Sequence, residues 1–515
     1  MTSDGPDVEP AVESAAGSVA PSEPPGALAR RTASNVAMSA LGQLVGKVAT
    51  FGWTVVAARR LGQEAFGVFS VALAGALIIS AVSEWGFDTA LVQRASHDPE
   101  HRDRYLTEAL AWELGLGVVL FGVGGVAVVQ LLSGQHVAAV ALVVSSVFLD
   151  TFSDTLRAAA GAAQRQGATS VALITQRMLA AVVAIGLLLD HRGLVGLGAA
   201  LAATSAAGLA AHVVAVRRIG FRVHPRLLGR SGLRAFGTGT GAIGLSALVL
   251  AALFRIDAVM LEGFRGARAV GIYSVAYKLF DTSLFVAFAL TGAFFPVMSV
   301  QVRQPRQLQR TLAIGIAAGA FCYVPFAAFC LVDAHPLLQL LYGPSYAGPA
   351  AAALRWLAPA PIMFGLAFLS GSTLNAYRRT AGLLVSAVVA TVVNVLGNLV
   401  AIPALGGTGA ALMTTASYAI QAGVTLLYVR RVSGLPLGIA PELTAPLAGG
   451  LVFGVLLGVL PGGLGVGLAV GVPSYFAVWW AVVRRVRPGQ LAALRVLIPR
   501  RREAPGAGAG AAPGR

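Results

Sequence analysis

Charged residues are scarce in this sequence, and the shortage limits what the chain can be. They make up 12% of the 515 residues, whereas soluble globular domains contain about a quarter. Two or three water-soluble domains are therefore excluded, because their surfaces would lack polar groups. Apolar residues account for 56% of the chain, and the mean hydropathy is +0.76. This composition indicates a polytopic membrane protein.

Cysteine is nearly absent as well. The chain has two cysteines, Cys322 and Cys330, within one apolar run. On a helix, eight residues separate them by about 12 Å, which is too far for a disulfide. We expect both to be small core side chains, and the sequence indicates no metal site and no cofactor.

The apolar residues are collected into runs long enough to cross a membrane. A helix needs about 20 largely apolar residues to span the hydrocarbon, and the sequence predicts an all-α membrane protein with about fourteen such helices. The predicted spans are 35–58, 66–88, 109–132, 137–160, 169–189, 193–216, 236–261, 270–299, 311–333, 352–375, 381–402, 408–429, 443–461 and 464–483.

The basic residues lie mostly on one side of these spans. If the N-terminus is cytoplasmic, 28 of the 38 Lys and Arg residues fall in cytoplasmic segments, five on the opposite side and five inside spans. By the positive-inside rule, this bias places both termini in the cytoplasm. Topology and contact with anionic lipid then explain the net charge of +16, so nucleic acid is not expected as a partner. We predict a multi-pass protein of the cytoplasmic (inner) membrane.

Two pairs of segments repeat within the chain. LGQEAFGVFSVA (61–72) and RGARAVGIYSVA (265–276) share six identical residues at an offset of 204. GLGAALA (196–202) matches GTGAALM (407–413) at an offset of 211. The repeat predicts two pseudo-symmetric six-helix lobes in the same orientation, an arrangement that in transporters forms a substrate cavity between the lobes.

The spans and the repeat together predict how the chain is organised. Two lobes of six spans are expected to be followed by two additional C-terminal spans. The predicted segments are a disordered cytoplasmic tail at 1–29, an N-lobe at 30–216, a cytoplasmic amphipathic linker at 217–235, a C-lobe at 236–430, spans 13 and 14 at 431–485, and a basic cytoplasmic tail at 486–515.

Several segments resemble oligosaccharide flippases of the Wzx type. They are LGQEAFGVFSVA, with the pattern L-G-x-x-x-F-G-x-[FY]-x-x-A, SEWGFDTALVQR (83–94), FRIDAVMLEGFRGARAVGIYSVAYKL (254–279) and NVLGNLVAIPALGGTGAALMTTAS (394–417). The resemblance covers about residues 30–485 and extends to the multidrug/oligosaccharidyl-lipid/polysaccharide (MOP) exporter superfamily, which implies a V-shaped, two-lobed, MATE-like fold. Fourteen spans are closer to the lipid II flippase pattern than to the twelve of many Wzx-type members.

The resemblance implies a transporter and not an enzyme. The implied function is a flippase that moves undecaprenyl-diphosphate-linked oligosaccharide across the cytoplasmic membrane by alternating access, for export of cell-surface polysaccharide. A lipid II flippase is the first alternative, and a cation-coupled multidrug exporter is the second. The implied partners are the lipid-linked oligosaccharide and membrane lipids, with polysaccharide-assembly proteins as further candidates.

Basic residues inside the spans are the candidate binding residues, because a charge in hydrocarbon persists only beside a cavity or a partner. Lys47, Arg177, Arg255 and Lys278 are predicted to line a cationic cavity that receives the diphosphate. The alternatives are salt bridges between the lobes or, for Arg177 and Arg355 near span ends, snorkelling to the membrane surface.

Acidic residues inside the spans are candidates for a coupling-ion site or for structural ion pairs. They are Asp150, Asp154, Asp257 and Asp281. Arg255 and Asp257 are two positions apart, on nearly opposite helix faces, so each needs a partner on another helix. Lys278 and Asp281 are three apart and can neutralise each other.

Two further features predict close helix packing. Asn394 and Asn398 are polar residues in an apolar span, which favours hydrogen bonds between helices. Gly239-x-Gly241-x-x-Gly244 opens a membrane span and does not follow a strand, so the pattern fails the context test for a dinucleotide site. We expect these glycines to allow bending or close approach.

Overall fold

A computed structural model describes residues 25–132, 136–238, 240–434, 440–460 and 463–486. These residues fold into helices joined by short turns. The helices are α1 (Pro25–Glu84), α2 (Phe87–His97), α3 (Arg102–Leu131), α4 (Val137–Ala162), α5 (Gly167–Leu189), α6 (Gly193–Ile219), α7 (Arg230–Thr238), α8 (Gly241–Arg265), α9 (Ala267–Ser283), α10 (Phe285–Val300), α11 (Pro305–Val332), α12 (Ala334–Tyr342), α13 (Pro344–Leu357), α14 (Ala360–Ala376), α15 (Thr380–Leu405), α16 (Gly407–Ser433), α17 (Ala440–Val459) and α18 (Gly463–Val486).

The helices confirm the predicted membrane architecture. Within the described residues, thirteen helical segments are long and apolar enough to cross a membrane. The first, Leu44–His97, contains two of the predicted spans, which are separated by a kink at Gly62. The segment count is therefore consistent with the fourteen spans expected from the sequence.

The internal repeat has a counterpart in the backbone. Gly62, inside α1, has φ 77° and ψ 177°, and Gly266, between α8 and α9, has φ 77° and ψ 171°. The two residues are related by the 204-residue offset of the repeat. Both reverse the chain in a conformation that only glycine adopts without strain. We call the end of the bundle that contains these two turns the Gly62 end, and the opposite end, after α2, the Asp98 end.

The N-terminal boundary differs from the predicted one. α1 begins at Pro25, so residues 25–29 are helical, although the sequence predicted a disordered tail at 1–29. Proline is favoured in the first turn of a helix, and the following Ala, Leu and Arg residues are good helix formers. Residues 1–24, and the predicted basic tail apart from Val486, lie outside the described part of the chain.

The segment predicted as an amphipathic linker packs against the first lobe. α6 continues to Ile219, and residues 230–235 at the end of the segment form the start of α7. The ring nitrogen of Trp112 on α3 donates to Leu233 O at 2.8 Å, and Arg94 on α2 donates to Ala235 O at 2.9 Å. The linker is thus held to α2 and α3 by bonds to its own backbone.

The packing defines two groups of helices. α1–α6 form one group and α8–α16 form the other, and we call these groups the N-lobe and the C-lobe. α1 also packs extensively on α8 and α9, which joins the two groups. α17 and α18 pack against α11, where the hydroxyl of Tyr475 donates to Phe321 O at 2.8 Å. Many large apolar side chains point outward, among them Val123, Val182 and Leu451, as expected for a surface that faces lipid.

The two cysteines have different surroundings. Cys330 is buried, as expected, but Cys322 is exposed. The prediction that both lie in the core is therefore wrong for Cys322. Eight helical residues correspond to a rotation of about 80° from two full turns, which is enough to carry one side chain off the packed face of α11.

Candidate functional site

A cavity of about 470 Å³ lies between the two lobes. α1, α4, α5 and α6 form its N-lobe wall, and α8 and α9 form its C-lobe wall. Lys47, Arg177, Arg255 and Lys278 all lie in its lining. Arg355 lies elsewhere, exposed at the end of α13, where it donates to a backbone carbonyl of α11 at 3.3 Å. The structure therefore brings together four of the five basic residues found inside the predicted spans.

Asp281 is the shared partner of three of these cations. Its Oδ1 lies 3.4 Å from Nζ of Lys47 and 3.9 Å from a terminal nitrogen of Arg255, and its Oδ2 lies 3.4 Å from Nζ of Lys278. The carboxylate is buried. We call these four residues the Asp281 cluster. Three cations around one carboxylate leave a local excess of positive charge in the cavity wall.

Helical spacing and an aromatic ring position the Asp281 cluster. Lys278 and Asp281 are three residues apart on α9 and therefore share a face. The guanidinium of Arg255 lies over the ring of Tyr277, 5.9 Å from its centroid, which is within the range of a cation–π contact. The Tyr277 hydroxyl donates to a backbone carbonyl of α8 at 2.7 Å and so fixes the ring. Lys47 reaches the cluster from α1, so the cluster joins the two lobes.

The N-lobe wall of the cavity is more acidic. A terminal nitrogen of Arg177 lies 3.4 Å from Asp150 Oδ2, and Gln176 Nε2 donates to Asp150 Oδ1 at 2.7 Å. One turn further along α4, Asp154 pairs with Arg157 at 3.0 Å. Arg177 and Arg157 thus each have their own carboxylate, whereas Lys47, Arg255 and Lys278 share Asp281.

Asp257 has uncharged partners, unlike Asp281. It is 1% exposed, and it accepts hydrogen bonds from Tyr273 Oη at 3.0 Å, from Asn398 Nδ2 at 3.1 Å and from the hydroxyl of Thr414. Asn398 also donates to Asn394 Oδ1 at 3.1 Å. These bonds join α8, α9, α15 and α16, which confirms the predicted interhelical role of Asn398, whereas Asn394 bonds to Asn398 within α15. Donors from several helices stabilise the ionised form of a buried carboxylate.

At the Gly62 end, the two lobes meet through glycine. A Cβ atom on Gly67 would lie 1.7 Å from Ala267 O, and one on Gly271 would lie 1.9 Å from Gln63 O. Gly67 and Gly271 are themselves related by the repeat offset. Beside them, Arg268 Nε donates to Gln63 Oε1 at 2.8 Å. Backbone contact between α1 and α9 therefore closes the cavity at this end.

A second glycine contact lies towards the Asp98 end. A Cβ atom on Gly244 of α8 would lie 2.6 Å from the ring of Trp85, and one on Gly86 would lie 2.6 Å from Ile243. This is the close approach that the Gly239-x-Gly241-x-x-Gly244 pattern predicted for Gly244. The lobes thus touch on both sides of the cavity.

Some of these partnerships could not be read from the sequence. Lys278 with Asp281 followed from helical spacing, but Lys47 with Asp281 joins residues 234 positions apart, and Arg177 with Asp150 joins two different helices. Sequence reasoning also passed over Glu113, an acidic residue inside the predicted span 109–132. Its position in an apolar run was the available signal.

Two family models match the chain. The family described as polysaccharide biosynthesis protein matches residues 32–301, and the MatE family matches residues 242–400. The second match begins close to the start of the C-lobe. A sequence search among curated proteins found no match.

Solved structures share the fold at low sequence identity. Lipid II flippase MurJ in an inward closed conformation has a TM-score of 0.74 and 11% identity, covering 87% of this chain and 99% of its own. An inward-facing multidrug resistance MATE transporter has a TM-score of 0.61 and 16% identity, covering 79% and 98%. A MOP superfamily transporter from Pyrococcus furiosus has a TM-score of 0.55 and 16% identity, covering 78% and 96%.

The sequence and the structure therefore agree on one class of protein. The family match spans more than half of the chain, and the solved structures with this fold are transporters and flippases. The chain belongs to the polysaccharide biosynthesis protein family, and it shares its fold with transporters of the multidrug/oligosaccharidyl-lipid/polysaccharide exporter superfamily.

Proposed function

We propose that the protein flips undecaprenyl-diphosphate-linked oligosaccharide from the inner to the outer leaflet of the cytoplasmic membrane by alternating access, for export of surface polysaccharide. The observation that carries this proposal is the Asp281 cluster, in which Lys47, Arg255 and Lys278 share one carboxylate inside a cavity between the lobes. A surplus of cations in a membrane is unfavourable unless an anion joins them.

The chemistry of the cluster suits a diphosphate. Guanidinium groups bind phosphate oxygens in a bidentate manner, and lysine contributes a mobile point charge. The three contacts to Asp281 are 3.4–3.9 Å long, so each cation is held by charge and not by a short hydrogen bond. A diphosphate that enters the cavity offers these cations several acceptors in place of one shared carboxylate.

The size of the cavity suits a headgroup and not the whole lipid. Its volume of about 470 Å³ falls within the usual range for small-ligand sites. The outer surfaces of the lobes are apolar and would leave the polyprenyl chain in the bilayer. We propose that the diphosphate and the first sugars occupy the cavity while the lipid tail stays outside.

The two glycine contacts would be the two gates of the transport cycle. The positive-inside bias orients the Asp98 end towards the cytoplasm and the Gly62 end outward. Parting Trp85 from Gly244 would admit the headgroup from the cytoplasm. Parting Gly67 from Gly271 would release it outward, and rocking of one lobe against the other opens one gate at a time.

Translocation in proteoliposomes tests this function. A labelled undecaprenyl-diphosphate oligosaccharide should become accessible to a membrane-impermeant glycosidase with wild-type protein. Arg255→Ala and Lys278→Ala should reduce the rate at least tenfold, because each removes one ligand for the diphosphate. Arg192→Ala is the matched control, since Arg192 is exposed and pairs with Asp190 in a loop. Wild-type rates in both cavity variants would contradict the proposal.

A lipid II flippase is the second candidate. It is favoured by the MurJ structure, which covers 87% of this chain, compared with 79% for the MATE transporter. Complementation of a strain depleted of its peptidoglycan-precursor flippase separates the two. Growth would favour lipid II as the substrate, and lysis accompanied by restored surface glycan in a polysaccharide mutant would favour the oligosaccharide.

A further inference from the structure

Three side chains from three N-lobe helices meet at one hydroxyl. Thr155 Oγ1 on α4 lies 2.7 Å from Asp88 Oδ1 on α2 and 2.7 Å from Glu113 Oε2 on α3. The two carboxyl oxygens are therefore no further apart than twice that distance. Thr155 is fully buried, and Glu113 is 1% exposed.

The number of available protons decides the charge state of Asp88, Thr155 and Glu113. A distance of 2.7 Å between oxygens is that of an O–H···O hydrogen bond. Thr155 has one hydroxyl proton and can donate to only one of the two carboxyls. The other contact is a hydrogen bond only if the second carboxyl carries a proton and donates it to Thr155. With both acids ionised, two negative charges would face one hydroxyl in a buried site.

The surroundings indicate which acid holds the proton. Asp88 lies in the first turn of α2, an eleven-residue helix whose N-terminus stabilises negative charge. Glu113 is buried near the middle of α3, and its Oε1 has no hydrogen-bond partner within the described part of the chain. A buried carboxyl with an unpartnered oxygen is far less unfavourable when it is neutral. The proton therefore belongs on Glu113, and the bonds run from Glu113 to Thr155 to ionised Asp88.

Other charged groups favour the same state. Glu84 of α1 and Asp154 and Arg157 of α4 are the other charged side chains near this group, and Asp154 pairs with Arg157 at 3.0 Å. Acids outnumber cations here, so a proton is more favourable than a further negative charge.

Glu84, four residues before Asp88 in the sequence, borders the cavity. Its Oε1 lies 2.8 Å from Ser80 Oγ, which in turn lies 3.0 Å from Thr151 Oγ1, and Thr151 donates to a backbone carbonyl at 2.9 Å. Ser80, Thr151 and Glu84 all line the cavity. A proton leaving Asp88 thus has an acidic neighbour that borders the cavity.

We infer that Asp88, Thr155 and Glu113 form a proton-binding site, in which Glu113 holds one proton and donates it through the Thr155 hydroxyl towards ionised Asp88. In a transfer within the site, the Glu113 proton passes to Thr155 Oγ1 while the Thr155 proton passes to Asp88, which leaves Glu113 ionised, Thr155 neutral and Asp88 protonated. The ligand is a proton, and its binding does not depend on which substrate the protein transports.

Infrared spectroscopy of the purified full-length protein tests the site. Near neutral pH, exposed carboxyls are ionised, so a carboxylic-acid C=O band reports a protonated buried acid. Glu113→Gln should remove intensity equivalent to about one acid per chain. Glu108→Gln is the matched control, since Glu108 is equally buried on α3 but pairs with Arg104 at 2.8 Å.

A second variant covers the case in which Glu113→Gln does not fold. Thr155→Val removes the acceptor of the Glu113 proton, so the C=O band should persist at a shifted frequency. A band unchanged in intensity in Glu113→Gln, or unchanged in frequency in Thr155→Val, would overturn the proposal. Loss of the band in Glu108→Gln would do the same, because the proton would then lie outside this site.

Discussion

The two lobes share a backbone plan but treat buried acidic residues differently. In the C-lobe, Asp257 is surrounded by hydrogen-bond donors, and Asp281 is surrounded by cations. In the N-lobe, Asp88 and Glu113 contact the same hydroxyl, and each remaining cation of the cavity wall already has its own carboxylate. Ionised acids are therefore stabilised in the C-lobe, and a shared proton is favoured in the N-lobe.

The repeat shows where this difference arises. Applying the 204-residue offset to Arg255, Asp257, Lys278 and Asp281 gives Phe51, Trp53, Ala74 and Leu77, which are all apolar. The turns at Gly62 and Gly266 and the crossing of Gly67 with Gly271 are common to both repeats. Repetition thus supplies the frame and the gate, whereas three of the four members of the Asp281 cluster lie in the C-lobe, and Lys47 joins them from α1 of the N-lobe.

The largest effect is expected at the crossing of Gly67 with Gly271, where the two lobes are alike. Gly67→Val would place side-chain atoms where Ala267 O now lies, so α1 and α9 could not touch and the gate at the Gly62 end would stay open. Disulfide formation between Gln63→Cys and Arg268→Cys, whose side chains are now hydrogen-bonded, measures closure and should be abolished. Gly52→Val on the same helix has open space and should not change the yield. Equal cross-linking in both variants would show that backbone contact is not needed for closure.

The next largest effect is expected at Asp257. Asp257→Asn should lower the free energy of unfolding by about 3 kcal/mol. The reason is that Tyr273, Asn398 and Thr414 would then face a neutral amide in place of a charged carboxylate. The drop in thermal unfolding temperature in detergent measures this effect. A loss of similar size for Glu113→Gln would remove the contrast between the lobes.

Asp281→Asn should have a smaller effect on stability. Breaking a fully buried ion pair costs roughly 3–5 kcal/mol, but Lys47 and Arg255 are partly exposed to the cavity, so we expect about 2 kcal/mol. Added diphosphate should recover much of the lost stability, because it replaces the missing carboxylate. The same thermal assay, with and without inorganic diphosphate, checks both statements. An equal rise in unfolding temperature on adding diphosphate, in wild-type protein and in the variant, would argue against anion binding at this cluster.

The smallest effect is expected at Glu113. Glu113→Gln should change the free energy of unfolding by less than about 1 kcal/mol, because glutamine has the shape of the neutral acid and can donate to Thr155. Thermal unfolding of this variant beside Glu108→Gln sharpens the contrast. Glu108→Gln breaks an ion pair with Arg104 and should lose more stability than Glu113→Gln. The opposite order would mean that Glu113 is ionised.

Much of the fold was predictable because membrane spans and glycine turns are local signals. The span pattern, the repeat at Gly62 and Gly266 and the packing roles of Asn398 and Gly244 all depend on residues within one or two helices. The environment of the charges was harder to predict, since it is set by contacts between distant helices. Helical spacing identified Lys278 with Asp281, but it could not bring Lys47 to the same carboxylate, nor place Glu113 beside Asp88.

The central claim is that the cavity binds a diphosphate through the excess positive charge of the Asp281 cluster. The most direct measurement is binding of undecaprenyl diphosphate and undecaprenyl monophosphate to purified protein by native mass spectrometry, with wild type, the Arg255→Gln/Lys278→Gln double variant and Arg192→Gln. The account predicts that wild type and Arg192→Gln prefer the diphosphate and that the double variant loses this preference. Equal preference for the diphosphate in all three proteins would contradict it.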